Sequence, residues 1–175
     1  KFLGTSGTLV TQCTTAMDAD GFTQTCPTQG SLLTQFIAIK GGSYKLGSFN
    51  APTSDGASAV TGVGFQPQLL LLASYGTTAS SSIQAHSRAS WGAGTTSSNR
   101  WARWHGDTDA VTVSVASSYL DRAAIFQTRT EAGGSPTALA SADLDSLDAD
   151  GFTLDWDADA VARQMVYLAI NTDPP

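Results

Sequence analysis

The hexapeptide DADGFT occurs twice in this chain, at residues 18–23 and at residues 148–153. A short apolar run follows each copy, and its centre lies 16 residues after the Phe of the first copy and 17 residues after that of the second. Asp-Gly before a hydrophobic residue is a common turn signal, so either copy alone would need no special explanation. The doubled spacing favours an internal repeat with a unit of about 130 residues.

This repeat predicts the domain organisation. Residues 43–175 contain a complete unit, which is the size of one domain, whereas residues 1–42 contain only the closing half of a first unit, a hairpin plus a strand. The strand predicted at 33–40 would be an exposed apolar edge by itself. We therefore expect the first segment to pack on the complete unit, to be completed by another subunit, or to continue a longer chain, and we favour strand addition between subunits.

Short apolar or alternating segments separated by turn signals run through the complete unit. The run LLLLA at 69–73 predicts a buried central strand, and VTVSV at 111–115 alternates with the period of a strand. Composition predicts that residues 92–99 are flexible and that residues 106–110 turn the chain. The sequence thus predicts an all-β protein, an antiparallel β-sandwich with an N-terminal partial copy of the same unit.

The negative net charge of the chain argues against nucleic acid and anionic membranes as partners. The net charge is −6 and only 14% of the residues are charged, which argues against binding to nucleic acid or to anionic membrane surfaces. No stretch approaches 18 consecutive apolar residues, so membrane insertion is not expected either.

The two cysteines, Cys13 and Cys26, flank the first DADGFT turn. If they face each other across a hairpin, a disulfide closing this loop would stabilise the fold by roughly 3 kcal/mol. A metal site would need further Cys or His ligands nearby, and two buried thiols are the remaining alternative. We favour the disulfide, which implies an oxidising or extracellular setting.

The carboxylate pairs of the repeat, Asp18 with Asp20 and Asp148 with Asp150, resemble the opening of a calcium loop. Phe and Thr follow them, however, so the other ligand positions are missing. A turn in which Asp accepts hydrogen bonds from its own backbone and Gly takes a positive φ explains the pattern better. No catalytic motif, metal site or cofactor site is predicted, and we do not expect an enzyme.

Three of the four tryptophans lie in one polar and aromatic cluster. Its members are Trp91, Arg100, Trp101, Arg103, Trp104, His105, Asp107 and Asp109. Trp and Arg anchor protein interfaces, and aromatic faces beside charged groups also suit sugar rings. A third interpretation is that one Trp is core and Arg103 pairs with Asp107 at the surface.

Several segments of the complete unit resemble a module of phage and prophage virion-associated proteins. They are SYKLGSF at 43–49, AVTGVGFQP at 59–67, LLLL at 69–72, SSNR at 97–100, DADGFTLDW at 148–156 and VYLAI at 166–170. The closing pattern also resembles H-type lectin domains, which are small antiparallel β-sandwiches that form trimers or hexamers and bind N-acetylgalactosamine-type sugars. The shared residues are mostly glycines and core hydrophobes, so they describe a fold of jelly-roll or H-type-lectin-like kind and no particular sugar site.

The resemblance implies a non-enzymatic structural module of a phage virion or similar extracellular assembly, such as a capsid decoration, fibre or tail component. Its expected partners are further copies of itself and other proteins of the virion or assembly. The alternative function is that of a lectin-like adhesin that binds cell-surface glycans. Both functions place the protein in a virion or outside the cell.

Overall fold

In a computed structural model, the chain folds into antiparallel β-strands, and the residues that the model describes include no helix. The described residues are 2–3, 9–10, 14–25, 39, 41–75, 86–108, 115–130, 136–158 and 160–173. Within these ranges, no helix is long and apolar enough to cross a lipid bilayer. The chain divides into two compact units, Lys1–Lys40 and Gly41–Pro175.

The N-terminal unit contains two short antiparallel pairs. Strand β1 (Phe2–Leu3) pairs with β2 (Leu9–Val10), and β3 (Thr14–Met17) forms a hairpin with β4 (Phe22–Thr25). This second pair turns within the first copy of the repeat, as the sequence predicts.

Two predictions for this unit fall outside the described residues. They are the strand at 33–40, apart from Ile39, and the disulfide between Cys13 and Cys26.

In the described part of the C-terminal unit, ten strands form a large and a small antiparallel sheet. The large sheet contains β5 (Ser43–Asn50), β7 (Leu69–Ser74), β8 (His86–Thr96), β9 (Asn99–Thr108), β10 (Val115–Asp121) and β14 (Gln164–Asn171). The small sheet contains β6 (Gly56–Thr61), β11 (Phe126–Arg129), β12 (Ala138–Asp148) and β13 (Gly151–Asp157). The strand orders are β10-β9-β8-β7-β14-β5 and β11-β12-β13-β6.

Both sheets contribute side chains to one buried core. Phe152 on β13 meets Phe49 on β5 with ring centroids 6.0 Å apart, and it meets Tyr167 on β14 at 5.2 Å. These edge-to-face contacts join the small sheet to the large one. The two sheets therefore pack face to face, and the predicted all-β antiparallel sandwich is confirmed.

Strand β7 is central, as predicted, because it pairs with β14 on one side and β8 on the other. Its four leucines do not all enter the core. Leu70 and Leu72 are buried, whereas Leu71 points the other way and keeps 36% of its surface exposed. The apolar run therefore supplies two faces of the sheet, since successive side chains of a strand alternate in direction.

Two local predictions are wrong. Residues 92–96 are not flexible but continue β8, and the chain turns only at residues 97–98 before β9 begins. Residues 106–108 likewise continue β9, which pairs with β8 as far as His86 opposite Thr108. Strands β8 and β9 pair along almost their whole length, and this pairing outweighs the weak strand propensity of glycine.

Candidate functional site

Strand β9 divides the predicted polar and aromatic cluster between two faces of the large sheet. Trp101, Arg103, His105 and Asp107 alternate with buried or inward-facing positions and point away from the core. Trp91 on β8 stands directly opposite Arg103, so it belongs to the same outward face. Asp109 lies outside the described residues.

Trp104 points into the sandwich and is 1% exposed. An added Cβ at Gly106 would overlap its ring, so the glycine provides the space in which the indole lies. Trp104 is therefore a core residue, which agrees with the first part of the third interpretation. Its second part is wrong, because Arg103 and Asp107 lie four residues apart on the extended strand β9 and no ion pair joins them in the described part of the chain. The structure does not bring its side chain together with those of Trp91 and Trp101.

Arg100 also points away from that outward face and links separate parts of the sandwich. Its guanidinium forms an ion pair with Asp143 on β12 at 3.0 Å, and its Nε donates a hydrogen bond to the carbonyl of Ala123. Burial raises the pKa of Asp143, and the charge of Arg100 acts against that rise. These contacts give Arg100 a structural role between β9, β12 and the segment before β11.

The outward side chains of the large sheet form rows across neighbouring strands. One row runs Leu120, Arg103, Trp91, Ala73, Val166 and Ser48, and the next runs Trp101, Ala93, Leu71, Leu168 and Leu46. A shorter third row contains Leu69, Ile170 and Tyr44. We call these three rows the apolar outer face.

Most of the large hydrophobic side chains on this face are open to solvent, although Ile170 in the third row is only 6% exposed. Leu46 is 71% exposed, and Trp91 and Trp101 are 48% and 44% exposed. Tyr44, Leu71, Leu120 and Val166 are exposed as well. Within the described part of the three rows, Arg103 is the one charged side chain. Contiguous apolar surface of this kind is typical of sites that contact another molecule.

The small sheet presents an ordinary solvent face by comparison. Phe152, Leu154 and Trp156 of β13 are buried, while Asp155 and Asp157 alternate with them and are exposed. Asp143 on β12 stands opposite Asp155 on the same outward side. Apolar and polar residues alternate in this way in an antiparallel sheet that has one face on the core and the other exposed to solvent. The large sheet departs from it, because its outward rows are apolar too.

The carboxylates of the repeat serve the two hairpins. Thr153 donates a hydrogen bond to Asp148 at 2.7 Å, and Thr23 donates to Asp18 at the same distance in the N-terminal unit. The two DADGFT copies therefore share one turn contact as well as one sequence. A turn is present in both copies, as predicted, but its supporting contact differs, because in the described hairpins the carboxylate accepts from a threonine hydroxyl and not from its own backbone. The predicted positive φ is found at Gly151 (153°) but not at Gly21.

Asp150 fixes the loop after β6 against the β12–β13 turn. Its carboxylate accepts hydrogen bonds from the backbone N–H groups of Gly62 at 3.1 Å and Gly64 at 2.6 Å. Its carbonyl accepts another from Val63 at 3.3 Å. Both glycines have a positive φ, near 80° and 89°, so the loop needs residues without a Cβ to present these amides.

We expect Asp150→Ala to lower the free energy of unfolding by about 1–3 kcal/mol, because two hydrogen bonds to a charged acceptor are lost. Chemical denaturation monitored by tryptophan fluorescence would measure the change. Asp157→Ala is the matched control, since the carboxylate of Asp157 has no hydrogen bond in the described part of the chain. Equal stabilities of the two variants would contradict the role of Asp150.

Sequence reasoning missed much of the apolar outer face. It singled out Trp91, Trp101 and Arg103, which lie close together along the chain, but not Leu46, Leu71, Leu120 or Val166, which come from four other strands. A signal was present, because the segments LLLL and VYLAI are apolar at odd and even positions alike. A strand with that pattern has two apolar faces, and in a sandwich of two sheets only one of them can face the shared core.

Comparisons of the chain with protein-family models, with curated proteins and with solved structures find no match.

Proposed function

We propose that this protein is a non-enzymatic structural module of a virion or similar extracellular assembly, and that it acts through protein–protein contacts. Capsid decorations, fibres and tail components are the kinds of component that this proposal covers. The apolar outer face of the large sheet is the observation that carries it.

The composition of that face supports a protein partner. Trp and Arg are the residues most enriched at the energetic centres of protein interfaces, and Trp91 stands directly opposite Arg103. Aliphatic side chains surround this pair on β7, β10 and β14, which gives the apolar centre that specific interfaces have. Around that centre lie Ser48, His105 and Asp107, which suit a more polar rim.

The proposal is tested by measuring the molar mass of the full chain by size-exclusion chromatography with light scattering over a wide range of protein concentrations. We expect an oligomer whose mass exceeds the 18.1 kDa of one chain. A monomer at every concentration that also binds no assembled particle would overturn the proposal.

Glycan binding is the second candidate function, and it rests on a narrower observation. Trp91 and Trp101 are diagonal neighbours on β8 and β9, half-exposed on the same face, and Arg103 lies beside them. Two indole faces with an adjacent guanidinium could stack on a sugar ring and donate to its hydroxyls.

A glycan array distinguishes the two functions. A specific signal that is lost in Trp91→Ala and Trp101→Ala would favour the glycan site over the structural module. Trp104→Ala is unsuitable as a probe because that side chain is buried in the core. An array without hits would leave the two exposed tryptophans as contact residues for protein.

A further inference from the structure

We infer that two copies of the chain pack through their apolar outer faces, related by a two-fold axis that runs along the strands between β7 and β8. This inference rests on the proposed function, since it names the partner for the same surface. The size of the face and the order of large and small side chains on it both favour a second copy of the chain as that partner.

The face approaches the size of a stable interface. Its three rows hold six, five and three positions, and each position covers about 4.8 by 6.8 Å, or about 33 Å². The flat area of the fourteen positions is therefore about 460 Å², and protruding side chains make the accessible area larger. A standard interface takes about 800 Å² from each partner, so this face would supply the greater part of one.

The centre of the face alternates between large and small side chains. On β7 and β8, Leu71 stands opposite Ala93 and Ala73 stands opposite Trp91. Each of these two strands thus carries one large residue and one Ala in the first two rows. In the first row the large residue is on β8, and in the second row it is on β7.

A two-fold axis along the strands places β7 of one copy over β8 of the other. Each side chain stays in its own row, because the rotation does not move positions along the strand direction. Leu71 of one copy then lies over Ala93 of the other, and Trp91 of one copy lies over Ala73 of the other. Both protruding side chains meet an Ala, so the face is complementary to itself, as a two-fold interface requires. Packed sheets cross at about 30°, and this crossing displaces positions next to the axis least.

Residues farther from the axis fit the same arrangement. Strand β9 lies over β14 of the other copy, so Trp101 meets Leu168 in the second row and Arg103 meets Val166 in the first. The long apolar stem of Arg103 can cover Val166 while its guanidinium reaches towards the rim. Tyr44 and Leu120 lie towards the edges of the face on β5 and β10.

The first experiment measures the mass and the dimer dissociation constant of the full chain by light scattering and analytical ultracentrifugation, with and without reductant. The reductant removes any intermolecular bond through Cys13 or Cys26. We expect a dimer for the parent chain and a monomer for Leu71→Lys, with the circular dichroism spectrum unchanged. Ala57→Lys, on the outward side of β6 in the small sheet, is the matched control and should remain a dimer.

The second experiment exchanges the large and small positions. Leu71→Ala alone leaves a gap and Ala93→Leu alone creates a clash, so each should raise the dissociation constant at least tenfold. The double variant, Leu71→Ala with Ala93→Leu, should recover most of that loss, because Ala then lies over Leu across the axis.

Three results would overturn the inference. An oligomer that Leu71→Lys does not affect would associate through another surface, in which case the proposed function would stand and this interface would not. The double variant gives the second such result. If its dissociation constant rises by at least the product of the two factors measured for the single variants, the two-fold arrangement is contradicted. A parent chain that is monomeric at every concentration would overturn the interface, and the proposed function would fall with it only if that monomer also bound no assembled particle.

Discussion

Phe152→Ala should lower the free energy of unfolding by about 3–5 kcal/mol, because a fully buried aromatic ring is replaced by a methyl group. Phe152 is 0% exposed and touches the rings of both Phe49 and Tyr167. Its ring thus holds the small sheet against two strands of the large one. Loss of the ring removes apolar burial from both sheets and leaves a cavity between them.

Equilibrium denaturation in urea, followed by the fluorescence of the buried tryptophans, would measure this loss. Tyr75→Ala is a suitable control, since Tyr75 is 64% exposed and lies just beyond the end of β7. We expect that control to remain within about 0.5 kcal/mol of the parent chain. Similar stabilities for the two variants would mean that Phe152 does not pack in the core as described.

Gly92→Ala is the second substitution with a large expected effect. A Cβ on Gly92 would overlap the carbonyl oxygen of Ile125, which belongs to the segment that crosses from β10 to β11. That segment is fixed in place, because Ile125 N donates to the carbonyl of Ala142 at 2.8 Å and Arg100 donates to the carbonyl of Ala123. Backbone has to move to relieve the overlap, so we expect a loss of about 3 kcal/mol.

Gly94→Ala gives a matched comparison on the same strand and the same face. There the added Cβ would approach the ends of the Leu144 and Ile125 side chains, which can rotate away. We therefore expect Gly94→Ala to cost clearly less than Gly92→Ala in the same denaturation assay. The reverse order would show that the crossing segment does not lie over Gly92.

The sequence by itself determined several of the strands and the two related hairpins. DADGFT contains both the turn and the residue that supports it, since Asp148 and Thr153, like Asp18 and Thr23, are five residues apart and bond within one hairpin. Such contacts are local, so they need no knowledge of the rest of the chain. The alternating and apolar segments likewise predicted β7, β13 and β14, because strand periodicity is a property of the segment.

Only the tertiary structure decided which side of each strand faces the core. Period-two alternation states that Trp101 and Trp104 point in opposite directions, but it does not state which of them is buried. That choice depends on the sheet that packs against β9. Trp104 lies on the side of β9 that faces the small sheet and is buried, while Trp101 lies on the other side and stays exposed. The apolar outer face arises in the same way, because strands distant in sequence place Leu46, Leu71 and Leu120 on one surface only after they pair.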